Sequence, residues 1–166
     1  MKMRLGFVTN SSSSSFILSF KDENSIYETL KKEFPKNIKN GWSAGDEGYL
    51  EKLFNEIQEA DKLTLNDVKE LVKEEDYNIY WQIIKELTSS KKMSYSEISD
   101  FLETNEGKQI LDKAYEKEIE TILQRIGDDK IIVEVEHGDG GMGEDGVLEY
   151  DILPKLSCTI ASFSHH

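Results

Sequence analysis

The sequence predicts an α+β domain in which two terminal β-hairpins form an antiparallel sheet packed against a layer of five to six helices. Three observations carry this. Period-2 alternation of apolar residues is confined to the two ends of the chain. The middle, roughly residues 24–126, repeats apolar residues at helical spacing. Strands segregated from helices in this way imply an antiparallel sheet rather than a parallel α/β one. At 166 residues the chain reads as a single domain, 1–166, large enough to bury a core without disulfides. Its parts are an amino-terminal hairpin (1–20), the helical region (24–126) and carboxyl-terminal strands (130–163).

Residues 4–9 and 15–20 read as the first two strands. In the second, Phe16, Leu18 and Phe20 share one face and Ser15, Ile17 and Ser19 the other. Between them lie Asn10, Ser11, Ser12, Ser13, Ser14 and Ser15, whose side chains bond readily to nearby backbone and so favour a turn. The run Gly6-Phe7-Val8-Thr9-Asn10-Ser11-Ser12-Ser13-Ser14-Ser15-Phe16 resembles the opening of a group of bacterial and phage proteins that carry no assigned activity. The resemblance covers about the first twenty residues and, more weakly, the Glu149-Tyr150-Asp151 stretch; it implies no chemistry.

After capping residues at 21–25, Ile26, Tyr27, Leu30 and Phe34 predict a helix that Pro35 stops. Ser43, with Asp46 three positions on, predicts the start of a helix reaching about residue 60, with Leu50, Leu53, Phe54 and Ile57 inward. Two segments echo each other: Thr64 with Asp67 and Ser94 with Glu97 both match a capping box, in which a hydroxyl and an acid bond each other's backbone N–H. Such a pair also suits a helix-turn-helix, but a DNA-reading helix needs exposed bases, and Lys69 stands among Asp67, Glu70 and Glu74–Asp76. Tyr77–Leu87 is rich in apolar residues, including Trp81, and is expected to be the central helix of its layer. Thr104 opens the last helix, 105–126, and Gly127 ends it.

Lys130–His137 and Gly146–Leu153 alternate as strands, joined by the glycine-rich 138–145, and 156–163 adds a short edge strand. This second hairpin is expected to place Glu134, Glu136, Glu149 and Asp151 on one face. Adjacent carboxylates there repel, so the face calls for a cation, for the basic pair Lys2 and Arg4 on a neighbouring strand, or for solvent. His137, reaching the serine run across the sheet, is a conceivable base for a serine nucleophile.

Composition narrows the classes. The formal charge of −13, from 33 acids and 20 bases, disfavours nucleic-acid backbones and anionic membranes and leaves basic proteins or small ligands as partners. One cysteine, Cys158, excludes an internal disulfide and suits a cytoplasmic setting, and its apolar neighbours suggest a buried thiol. One Cys and one internal His do not make a zinc site, and no resident cofactor is expected. The sequence therefore points to a non-enzymatic acidic binding or regulatory protein, with its candidate contacts at the serine run or the carboxylate face. The alternative is a metal-dependent enzyme that uses those carboxylates.

Overall fold

One strand organises the molecule. In the computed structural model, which describes residues 13–34, 46–75, 77–138 and 146–164, strand β1 (Ser13–Phe20) lies between β2 (Ile131–Gly138) and β3 (Thr159–Ser164). Both neighbours run antiparallel to it; β2 pairs Ser14 with His137 and Phe16 with Val135, and β3 pairs Ser15 with Phe163 and Ile17 with Ala161. The architecture is α+β, as the segregation of periods predicts. Two details differ. The carboxyl-terminal strands do not pair with each other; the amino-terminal strand separates them. The expected first strand, 4–9, and the pair Lys2 and Arg4 lie outside the described residues.

The helices are α1 (Ile26–Glu33), α2 (Asp46–Glu59), α3 (Leu65–Glu75), α4 (Tyr77–Lys91), α5 (Tyr95–Leu102) and α6 (Asn105–Ile126). Local chemistry sets their ends. Thr64 Oγ1 accepts from the Asp67 N–H at 3.1 Å while Asp67 Oδ2 accepts from the Thr64 N–H at 2.7 Å. Ser94 and Glu97 repeat the arrangement at α5. Thr104 caps α6, and Gly127 ends it at φ +54°, a left-handed conformation that suits glycine. The expected cap Ser43 lies outside the described residues.

Helices cover the sheet on both faces, not one. Phe16, Leu18, Phe20, Val133 and Val135 pack against Ile26 and Leu30 of α1, Leu53 and Ile57 of α2, and Leu148, Ile152 and Leu153. On the opposite face Ile17, Ile132, Ile160 and Phe163 meet Val68 and Val72 of α3 and Ile119, Ile122 and Ile126 of α6. A third cluster joins Ile79, Ile83, Ile84 and Leu87 of α4 to Ile98 and Leu102 of α5. The central helix is α6, which packs on α3, α4, α5 and β3, rather than the more apolar α4. Length decides this: its 22 residues carry a stripe long enough to meet three helices.

The stretch 147–153 is the main correction. Val147–Ile152 forms a π-helical turn followed by a 3-10 turn, Leu153–Lys155, instead of a strand. Leu148, Glu149, Ile152 and Leu153 are buried while Tyr150 is exposed, a helical pattern. Leu148 and Ile152, four apart, satisfy both a strand and a helix, and burial selects the helix.

Candidate functional site

Among the serines of the amino-terminal run, the structure describes Ser13, Ser14 and Ser15, and it places all three inside β1 rather than at a hairpin tip. Asn10, Ser11 and Ser12 lie outside the described residues. Ser14 and Ser15 are buried, and so is Ser19. These hydroxyls fit because β1 has a packed layer on each side and serine adds little volume. Ser14 Oγ donates to Glu149 Oε1 at 2.6 Å, and Ser19 Oγ donates to Asp129 Oδ2 at 2.6 Å, so each faces an internal carboxylate. They sit on opposite faces of the sheet, as their odd and even positions require.

Ser14 also stands directly across the β1–β2 ladder from His137. His137 is buried, and its Nε2 lies 3.1 Å from Glu56 Oε2 on α2. A polar cluster of Ser14, His137, Glu56 and Glu149 therefore closes one end of the core that α1 and α2 cover. Its members come from β1, β2, α2 and the π-helical turn. The hydroxyl of Ser14 is directed at a carboxylate, which holds strand to turn.

The four candidate carboxylates are split. Glu134 and Glu136 alternate with Val135 and His137 and so lie on the α3 and α6 side of β2, where Glu134 is half-buried and Glu136 exposed. Glu149 is buried on the other side against Ser14, and Asp151 is half-buried on the π-helical turn. The expected shared face depended on 146–153 being a strand. Among the described residues, no three His, Cys, Asp or Glu side chains come together as a metal site. Glu33 accepts from the Ser157 N–H at 2.6 Å and from its hydroxyl, tying α1 to the turn before β3. Cys158, in that turn, is buried; burial first and the nearby Glu33 charge second push its thiol up to about 12.

The surface carries two large rings, one of which, Trp81, the sequence adds to the apolar stripe of α4. Trp81 is 54% exposed and Tyr95 58% exposed, and their rings lie 6.1 Å apart at 35°. Tyr80 meets Trp81 edge-on at 6.3 Å. The signal was available: at about 100° per residue, Trp81 falls roughly 130° from the middle of the stripe formed by Ile79, Tyr80, Ile83, Ile84 and Leu87. Lys91, over the Phe101 ring at 4.9 Å, fastens the end of α4 to α5 behind this pair.

A groove between α3 and α6, about 550 Å³, has Ile119 and Leu123 in its lining with Lys69, Lys73, Glu116 and Glu120. A more polar cavity, about 280 Å³, lies between β3 and helices α4 and α6. No described helix is long and apolar enough to cross a membrane. No protein-family model, curated protein or solved structure matches this chain.

Proposed function

We propose that this is a non-enzymatic acidic binding or regulatory protein, bacterial or phage in origin and cytoplasmic, that docks on a protein partner through the α4–α5 surface. The observation that carries the reading is the Trp81–Tyr95 pair. Two large rings side by side in water forgo burial that would otherwise contribute roughly 1.5–3 kcal/mol for each large side chain. Trp and Tyr are also the residues that most often anchor protein contacts. The internal bonds of Ser14 and Ser19 support the same reading, because they direct those hydroxyls to the fold. The division of Glu134 and Glu136 from Glu149 weighs against the metal-dependent alternative.

The test is affinity capture from an extract of the source cells, comparing the wild type with a Trp81→Ala, Tyr95→Ala double variant. Both chains should melt alike, since both rings are exposed. Proteins retained by the wild type and lost by the variant are expected. Identical retained sets would remove the aromatic pair as the docking surface.

A further inference from the structure

We propose that the outer edge of β3 seats an extended peptide, which adds to the sheet as a short fourth strand. This rests on the binding reading above and supplies a second contact, of different chemistry, on the same partner. Strand β3 is hydrogen-bonded to β1 along one edge. Its Ile160 carbonyl is turned away from β1 and accepts from Arg125 Nη1 at 2.8 Å. In β1 the Ser19 N–H donates to the Cys158 carbonyl, so the odd residues of β1 face β3; their partners Ala161 and Phe163 turn toward β1, and Ser162 between them turns its N–H and C=O outward, beyond the bulge at Ile160. The Ile160 carbonyl is already held by Arg125, so a peptide strand at about 4.8 Å pairs with the N–H and C=O of Ser162, and the pairing needs no particular side chain.

The cavity facing this edge has the matching chemistry. Its walls are Ile160–Phe163 of β3, Asn78, Ile79 and Gln82 of α4, and Glu118 and Arg125 of α6, around a volume of about 280 Å³. That is just below the roughly 300–1,000 Å³ range of ligand sites, which suits a few peptide residues rather than a large cofactor. Side-chain amides donate and accept, and the Arg125 guanidinium has further N–H groups beyond the one on Ile160. Glu118 and Arg125, seven residues apart on one helix, stand about 10 Å from each other along its axis. An extended chain covers that distance in about three residues. The occupant is therefore an extended peptide with an acidic group toward Arg125 and a basic group toward Glu118.

The experiment uses a phage-displayed library of random octapeptides, panned on the wild-type chain. Enriched peptides are then synthesised and titrated calorimetrically against wild type, Ser162→Pro, Gln82→Trp and Trp81→Ala. Proline removes the outward N–H of Ser162 but is tolerated on a strand edge whose N–H makes no ladder bond. Gln82→Trp fills the cavity from the helix side, and it decides the matter if the proline variant melts early. Enriched peptides should lose at least tenfold in affinity on Ser162→Pro and on Gln82→Trp and keep it on Trp81→Ala. Peptides that bind all four chains alike, or a library that yields no enriched peptide, would overturn the edge as a seat. Peptides lost only on Trp81→Ala would also overturn it, while leaving the α4–α5 docking surface standing.

Discussion

Replacing Gly107 with alanine sets two effects of opposite sign against each other. Gly107 lies buried in the first turn of α6, with its N–H bonded to the cap Thr104 Oγ1 at 3.2 Å. Helix propensity alone favours alanine over glycine by about 1 kcal/mol. Packing opposes it. A Cβ at this position would stand 2.1 Å from the Phe101 carbonyl oxygen, 2.6 Å from Leu102 Cα and 2.8 Å from the Phe101 carbonyl carbon. Carbon contacts normally sit at about 3.5–4.0 Å, so α5 and α6 must separate by roughly an ångström. All three obstructing atoms are backbone and cannot rotate aside. Overpacking costs about 1–3 kcal/mol, and rigid obstacles place this case at the upper end. The net expectation is a destabilisation of about 2 kcal/mol, or a fall in Tm of roughly 4–8 °C for a chain of this size. Thermal unfolding followed by circular dichroism at 222 nm measures it, with the exposed Lys108→Ala as a control expected to stay within about 0.5 kcal/mol. A variant whose Tm rises would refute the close approach of the two helices.

Three further outcomes follow from the hydrogen bonds and the buried thiol. Ser14→Ala removes one buried donor from the Glu149 carboxyl and should cost about 1–3 kcal/mol in denaturant unfolding, whereas exposed Ser162→Ala should cost less than about 0.5 kcal/mol. Backbone and side-chain hydrogen bonds from Thr64 and from Ser94 hold Asp67 and Glu97 below the usual carboxylate range. Groups with depressed folded values stabilise above their unfolded values, so this contribution should fade as pH falls below about 4. An Asp67→Asn, Glu97→Gln variant should show a shallower acid limb in melting temperature against pH; an unchanged limb would refute the assignment. Cys158, with its thiol held near 12, should not react with Ellman's reagent at pH 8 in the native chain. Its labelling rate should instead rise with denaturant in step with unfolding, and prompt labelling of the folded chain would refute its burial.

Features that depend on a few neighbouring residues were legible in the sequence. The Thr64–Asp67 and Ser94–Glu97 boxes and the Thr104 and Gly127 ends of α6 match their sequence signatures, because caps act within one turn. What was not legible depends on residues far apart in the chain. Ser15 and Ser19 look like the wet side of a strand, yet β1 is covered on both faces, and Ser19 meets Asp129 from the turn before β2. The spacing of Leu148 and Ile152 fits either a strand or a helical turn, and only the packing of Leu153 and Glu149 beside them decides. Trp81 was misplaced for a different reason: it was counted with the apolar stripe of α4, while its angular position put it at the surface. The polar cluster was partly legible, since the alternation in β2 put His137 on the apolar side. Its partner Glu56 carried no signal.

The middle position of β1 has a consequence for the order of folding. Ser14 and Glu149, joined by a buried hydrogen bond, are 135 residues apart, and both strands that flank β1 are made after α1–α6. During synthesis β1 therefore waits with Phe16, Leu18 and Phe20 unpaired, while α3–α6 can already associate through local contacts. Closing so long a loop is slow and entropically opposed, so sheet assembly is expected to come late. Until β3 emerges, β1 is an apolar strand with open edges, the species most prone to self-association. Chaperone dependence in the cell should accordingly track the time that β1 waits rather than the stability of the finished fold.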